Sequence, residues 1–181
     1  MRASLAVGLA VLVIAAACKR EGTTPPVARA TLADSAEQVA INIHTLLTDK
    51  GIQKGELFAD TAYIFDENTR FELRKVRATF NSPTGVKDGV MSADRGRFDT
   101  RQQILEGFGN VVIVTNSGKR LVSPHLKFMQ TMNEVSSDTS FTLTEPGRTL
   151  AGIGFKSDPQ LTRFSILKGA KGTGSFTLPG Q

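Results

Sequence analysis

Between Leu57 and Phe155 the chain repeats one uncommon spacing four times: Leu57-x-Ala59-x-x-Ala62-x-Ile64, Met91-x-Ala93-x-x-Gly96-x-Phe98, Leu121-x-Ser123-x-x-Leu126-x-Phe128 and Leu150-x-Gly152-x-x-Phe155. Each has an apolar residue, a small residue two on, and a small or apolar residue three further, with starts roughly thirty residues apart. In a strand, successive side chains point to opposite faces, so positions two apart share a face. A step of three keeps the set on one face only if an extra residue is inserted in mid-strand, as a β-bulge does while increasing the local twist. Each repeat is followed by a second apolar run: Phe71–Phe80, Ile104–Val114, Val135–Leu143 and Leu161–Leu167. One unit is therefore about two strands. Such units bury a face only by closing over one another along a shared axis.

The remaining sequence agrees with a nearly all-β domain. Val39, Ile41, Ile43, Thr45 and Leu47 alternate with Ala40, Asn42, His44 and Leu46, and Asp49-Lys50-Gly51 then offers a reversal into Ile52. That pattern predicts an opening hairpin. Before it, Asp34 to Gln38 has room for one helical turn capped by Asp34 or Ser35, or for a loop. No later window holds a helical period for ten residues, whereas Gly, Asn, Asp and Pro punctuate short apolar runs throughout.

Ala59, Ala62, Ala93, Gly96, Ser123 and Gly152 fall on the face that the pattern turns inward. Two readings of these small residues stand side by side. One is that they let twisted sheets approach closely or accommodate a bulge. The other is that they leave an elongated apolar groove sized for acyl chains, with cationic Arg95, Arg97, Arg101, Lys119 and Arg120 at its rim to meet phosphate.

The amino terminus reads as a targeting segment. Met1-Arg2-Ala3-Ser4 precedes an apolar run from Leu5 to Ala17, too short to span a bilayer as a helix, and then the sole cysteine, Cys18. Ala15-Ala16-Ala17 before that cysteine resembles a bacterial lipoprotein box, which makes residues 1–17 a signal peptide and Cys18 the acylated first residue of the mature protein. Residues 18–31, small, polar and containing Pro25-Pro26, read as a flexible tether. A dozen such residues reach at most about 40 Å. The domain is expected over 32–170, with 171–181 a Gly-rich flexible tail.

The whole chain carries a formal charge of +5, and loss of Arg2 with the signal peptide leaves a mild +4. An exported lipoprotein has little access to nucleic acid, so this excess suits phosphorylated lipid, acidic partners or simply a solvated surface. One cysteine rules out an internal disulfide, and with only His44 and His125 no Cys/His metal cage is expected. Ser123, His125 and an Asp make a triad only on paper, since no nucleophile elbow frames the serine. Asp60 and Asp94 recur at one repeat position, which fits equivalent turns or outer faces better than acid/base work. Gly107-Phe108-Gly109-Asn110 has no helix after it to bind phosphate, and phenylalanines at core spacing do not make a nucleic-acid stacking platform. No enzyme and no cofactor is expected.

The runs Leu46–Gly51, Gly55-Glu56-Leu57-Phe58-Ala59-Asp60-Thr61-Ala62, Met91-Ser92-Ala93-Asp94-Arg95-Gly96, Leu105–Ile113 and Leu121-Val122-Ser123-Pro124-His125-Leu126 resemble the lipopolysaccharide export proteins of the LptC family and the related LptA. The glycine-containing Leu150–Phe155 resembles the segment near that family's last strands, and the likeness runs from about Val39 to Lys168. The resemblance implies a twisted open β-jelly roll of antiparallel strands, a periplasmic carrier without chemistry of its own. It would take lipopolysaccharide from an inner-membrane ABC transporter and pass it to the next jelly roll. Acyl chains would ride against Leu57, Ala59, Ala62, Ile64, Met91, Ala93, Gly96, Phe98, Val111, Ile113, Leu126 and Phe128. By the same analogy the Val39–Leu47 edge would face the transporter's LptF/LptG-like periplasmic domain, and the Phe164–Lys168 edge an LptA-like protein.

Two features depart from the family pattern. Its members hold themselves in the inner membrane with a hydrophobic helix, whereas this chain is expected to use a lipid on Cys18, and Lys19 beside it gives no retention signal, so inner-membrane anchoring is an expectation taken from the family. The Gly-rich stretch from Gly169 makes a poor central strand, so the docking edge there is expected to be short or to order on binding. A lipoprotein that scaffolds other envelope proteins through the same edges, carrying no lipid, is the rival expectation.

Overall fold

The computed structural model describes residues 31–82 and 84–174. The expected signal peptide, Cys18, the tether to residue 30 and the chain beyond residue 174 lie outside the described residues. A four-residue helix, α1 (Leu32–Ser35), leads into β1 (Gln38–Asp49), β2 (Ile52–Phe65), β3 (Arg70–Asn81), β4 (Lys87–Asp99), β5 (Ile104–Thr115), β6 (Arg120–Met129), β7 (Glu134–Glu145), β8 (Arg148–Ser157) and β9 (Ser165–Gly174). The nine strands form one antiparallel sheet in chain order, open because β1 pairs only with β2 and β9 only with β8. This is the open jelly-roll architecture that the family resemblance implied, built of the two-strand units that the repeats implied.

Local chemistry accounts for the elements. The first reversal falls at Lys50 (φ 50°) and Gly51 (φ 80°), both left-handed, the geometry that a two-residue hairpin needs to match strand twist. The helical turn lies earlier than the sequence suggested, because Thr31 rather than Asp34 caps it. The Asp34 carboxylate accepts hydrogen bonds from the Thr31 amide (2.7 Å) and hydroxyl (2.8 Å), which places Asp34 inside the turn. The last apolar run is corrected too: Leu161–Phe164 is loop, and the strand starts at Ser165 and continues to Gly174. An edge strand tolerates its glycines, since β9 has a neighbour on one side only.

Every strand is interrupted near its middle, and the interruptions align across the sheet. On β2, β4 and β6 the buried positions step by three, from Ala59 to Ala62, Ala93 to Gly96 and Ser123 to Leu126. On β5 and β7 they step by four, from Gly107 to Val111 and Ser137 to Phe141, and the register with neighbours slips at the same level. Left-handed residues mark the line elsewhere: Asn42 on β1, Lys75 on β3, Gly109 and Asn110 on β5, Gly154 on β8 and Gly169 on β9. Each strand thus has two halves. The upper half adjoins α1 and the β2–β3, β4–β5, β6–β7 and β8–β9 connections, and the lower half adjoins the others.

Along this line the sheet bends so that the halves face each other. Phe80, at the lower end of β3, meets Phe128, at the upper end of β6, edge to face with ring centroids 4.8 Å apart, although the two strands are not neighbours. Phe141 of the lower half meets Phe155 of the upper half in the same way at 5.3 Å. Small residues line the crease. A Cβ on Gly96 would stand 2.7 Å from Val76 Cγ2, and one on Gly152 would stand 2.8 Å from Ile166 Cγ2. Close approach at a bulge is what these positions provide, the first of the two readings open from the sequence. Gly96→Val should therefore lower stability by about 1–3 kcal/mol through overpacking, and Phe128→Ala by about 3–5 kcal/mol through the cavity left behind. Urea denaturation of each variant measures both losses.

Candidate functional site: the apolar interior and its mouth

Leu57, Ala59, Ala62 and Ile64 on β2, Met91, Ala93 and Gly96 on β4, Val111 and Ile113 on β5, and Leu126 and Phe128 on β6 are all buried between the halves, and Phe98 is half-buried. All but Ile64, Gly96 and Phe98 belong to one apolar cluster that runs from Leu47 on β1 to Phe155 on β8, and Phe98 packs against it. Partly buried Ile43 on β1 and Ile166 on β9 pack against its ends, so the apolar column surfaces at both open edges. In this state protein side chains occupy the space between the halves. One surface hollow of about 330 Å³ is lined by Glu72, Arg74, Arg95, Arg97 and Phe108 and reaches the interior residues Leu73 and Gly96.

The repeat pattern picked out the even-numbered strands and missed much of what they face. Phe80 and Phe141, on the returning strands, meet Phe128 and Phe155 of the repeats across the interior, and Leu73, Leu105 and Val135 complete its walls from the returning strands. Their apolar runs were visible in the sequence, but without a shared spacing to align them. Leu161, 1% exposed, joins the core from a loop, and no periodic signal marks such a residue.

The candidate chemical groups have structural duties. The Ser123 hydroxyl lies at the crease, 2.8 Å from the His125 carbonyl, 2.9 Å from the Ser140 carbonyl and 3.0 Å from the Thr139 hydroxyl, where register slippage leaves backbone groups without ladder partners. The His125 ring points to the other face and stacks on Phe108, centroids 4.8 Å apart. Asp60 and Asp94 each brace a left-handed residue on the next strand. Asp60 Oδ2 is 3.0 Å from Lys75 Nζ, and Asp94 Oδ2 accepts from Asn110 Nδ2 at 2.7 Å.

The expected cationic rim is dispersed. Arg97 pairs with Glu72 at 2.8 Å on the outer face, Arg101 sits in the β4–β5 turn, and Arg120 is exposed at the start of β6. Lys119 alone of the five reaches the mouth, the gap where the upper and lower connections approach each other. Its ammonium donates to the Leu161 carbonyl at 2.5 Å and lies 3.1 Å from Glu145. Two further bonds cross this gap: Gln160 Nε2 to the Asn81 carbonyl (3.2 Å) and Gln103 Nε2 to the Thr48 carbonyl (3.3 Å).

Two carboxylates secure the region electrostatically. Burial by itself would raise the Asp158 pKa, but hydrogen bonds from the Thr162 hydroxyl and amide, the Arg163 amide and the Ser157 hydroxyl outweigh it and hold the group below the usual carboxylate range. Glu145 is likewise lowered: burial opposes ionisation, and Arg148 and Lys119 together overcome it.

Among the described residues the fold is one open sheet folded over a continuous apolar interior, with an unpaired edge on β1 and another on β9. A family model described as lipopolysaccharide-assembly, LptC-related, matches residues 4–174, and the chain belongs to that family, whose members are transport components of the periplasm. No curated protein matches it by sequence. Among solved structures it is similar to LptH, the LptA-homologous periplasmic component of the lipopolysaccharide transport device from Pseudomonas aeruginosa. That likeness has 14% identity and a TM-score of 0.50, covering 62% of this chain and 81% of that one. At such identity it speaks for the fold. Among the described residues no helix is long and apolar enough to cross a membrane.

Because Asp158 and Glu145 titrate lower when folded, the stability they contribute is complete above the unfolded carboxylate pKa of about 4 and is lost as pH falls through their folded values. Urea midpoints should therefore drop between about pH 5 and about pH 3, the window in which carboxylates titrate. Asp158→Asn should start from a lower midpoint and fall less steeply over that window.

Proposed function

We propose that this protein carries lipopolysaccharide through the periplasm, accepting it from an inner-membrane ABC transporter and passing it to the next jelly-roll protein. The observation that carries this reading is the uninterrupted apolar column between the two halves, reaching both open edges in a member of a lipopolysaccharide-assembly family. Burial of acyl surface contributes about 25 cal/mol per Å². A multi-chain lipid therefore binds firmly, and its onward movement needs the push of cargo arriving from an ATP-driven pump.

In this reading the acyl chains contact Leu57, Ala59, Ala62, Ile64, Met91, Ala93, Gly96, Phe98, Val111, Ile113, Leu126 and Phe128 once the halves part. The β1 edge, Val39–Leu47, receives the transporter's LptF/LptG-like periplasmic domain, and the Phe164–Lys168 end of the β9 edge receives an LptA-like protein. Exposed Val39, Ile41 and Leu46 on β1 and Leu167 on β9 support strand addition at both places. An acyl group on Cys18 anchors the chain to the inner membrane, and residues 18–31 give it reach.

A photo-crosslinking residue at Ala93 or Phe98 should form adducts with lipopolysaccharide in cells, whereas adducts with protein alone would make the chain an envelope scaffold instead. Cys18→Ser should remove the acyl mass from the mature protein and release it from the membrane fraction, as read by mass spectrometry and fractionation.

A further inference from the structure

The loop between β8 and β9 leaves and rejoins the upper half and reaches over to residues of the lower half, closing the mouth from above. Pro159, Gln160 and Leu161 are buried there. The Pro159 carbonyl lies over Gly89, 3.6 Å from where a Cβ would stand. Gln160 reaches the Asn81 carbonyl, and Lys119 holds the Leu161 carbonyl from below. Leu161 is thereby set into the apolar cluster, close in sequence to Phe164, which stacks on Phe155 at 5.1 Å and meets Phe141 at 5.2 Å.

We propose that the Asp158–Phe164 loop is a plug whose Leu161 holds the place of an acyl chain, and that apolar cargo enters by displacing it between Asn81 and Lys119. The proposal rests on the carrier reading and adds the entrance and the residue that guards it. Three observations lead to it. The first is that the loop is tied to the lower half by single hydrogen bonds outside any ladder, so it can leave without unpairing a strand. The second is that Leu161 is left-handed (φ 56°) without being glycine, a conformation that an L side chain disfavours and that release of the loop would relieve.

The third is that the loop is self-contained. The Asp158 carboxylate accepts hydrogen bonds from the amides of Thr162 (2.7 Å) and Arg163 (3.2 Å), and the Leu161 amide donates to the Asp158 carbonyl (3.0 Å). It therefore moves as one piece, hinged where β8 ends and β9 begins. Its departure bares Phe141, Phe155 and the apolar column behind them, a surface suited to hydrocarbon and to little else. A branched four-carbon side chain on a removable loop is the protein's own stand-in for such a ligand.

The test locks the loop in place. In the full chain carrying Cys18→Ser, the pair Asn81→Cys and Gln160→Cys forms a disulfide on oxidation, verified by electrophoresis without reductant. Binding is measured with purified lipopolysaccharide and with the apolar dye N-phenyl-1-naphthylamine. Both should bind at least about tenfold more weakly (roughly 1.4 kcal/mol) when oxidised and recover in the same sample on reduction. If both bind equally well in either state, the plug is overturned while the carrier reading stands. If the dye depends on reduction and lipopolysaccharide binds in neither state, the plug stands and the carrier reading falls. Binding of neither ligand in either state overturns the plug. Leu161→Gly is the second variant, since it removes the side chain and keeps the backbone conformation. It should bind the dye several-fold more tightly, and unchanged binding overturns the proposal.

Discussion

The crease across the middle of every strand is the constraint on which this structure depends. A nine-stranded antiparallel sheet in simple chain order has two faces and, among the described residues, only a four-residue helix beside it to cover either. By breaking each strand at the same level, the chain lets one half of the sheet cover the other. The apolar side chains of Phe80 and Phe128 then meet across the interior as they would between two separate sheets. The crease demands small side chains at Gly96 and Gly152, left-handed backbone at Asn42, Lys75 and Asn110, side-chain braces from Asp60 to Lys75 and from Asp94 to Asn110, and the Ser123 hydroxyl for backbone carbonyls the ladder no longer holds.

Much of this was legible from a single irregularity. The step of three in β2, β4 and β6 gave the bulge, its inward face and the strand pairs, because burial on one side imposes a period that any insertion must disturb. The returning strands were harder to read. Lys75 takes a left-handed conformation that its residue type does not favour, and the reason is its place in the crease, which no local propensity encodes. Leu161 looked like the start of a strand, since an apolar residue set into the core from a loop cannot be told by spacing from one carried by a sheet. The misplaced helical turn has a local explanation. Thr31 and Asp34 stand three apart in the capping-box relation, which reads Asp34 as an interior partner of the cap.

The small residues carry the first of the two meanings open in the sequence. In the closed state they are contact points that allow the halves to touch. For a carrier the same contacts have a second value, because an interior held by dispersion and a few hydrogen bonds at its mouth reopens more readily than one knitted by ladders. The polar ties at Lys119, Gln103 and Gln160 gather at the gap, while the crease opposite is continuous backbone. Separation is therefore easiest along one side, like a book opening from its fore-edge.

Since each strand pairs only with its neighbours in the chain, the sheet has no central element that organises the rest. It grows by accretion, strand upon strand, and nothing in its geometry specifies where accretion must stop. The last row of amides and carbonyls on β9 is the template β8 offered to β9 itself. To such an edge, a segment arriving from another molecule is simply the next course of the same wall.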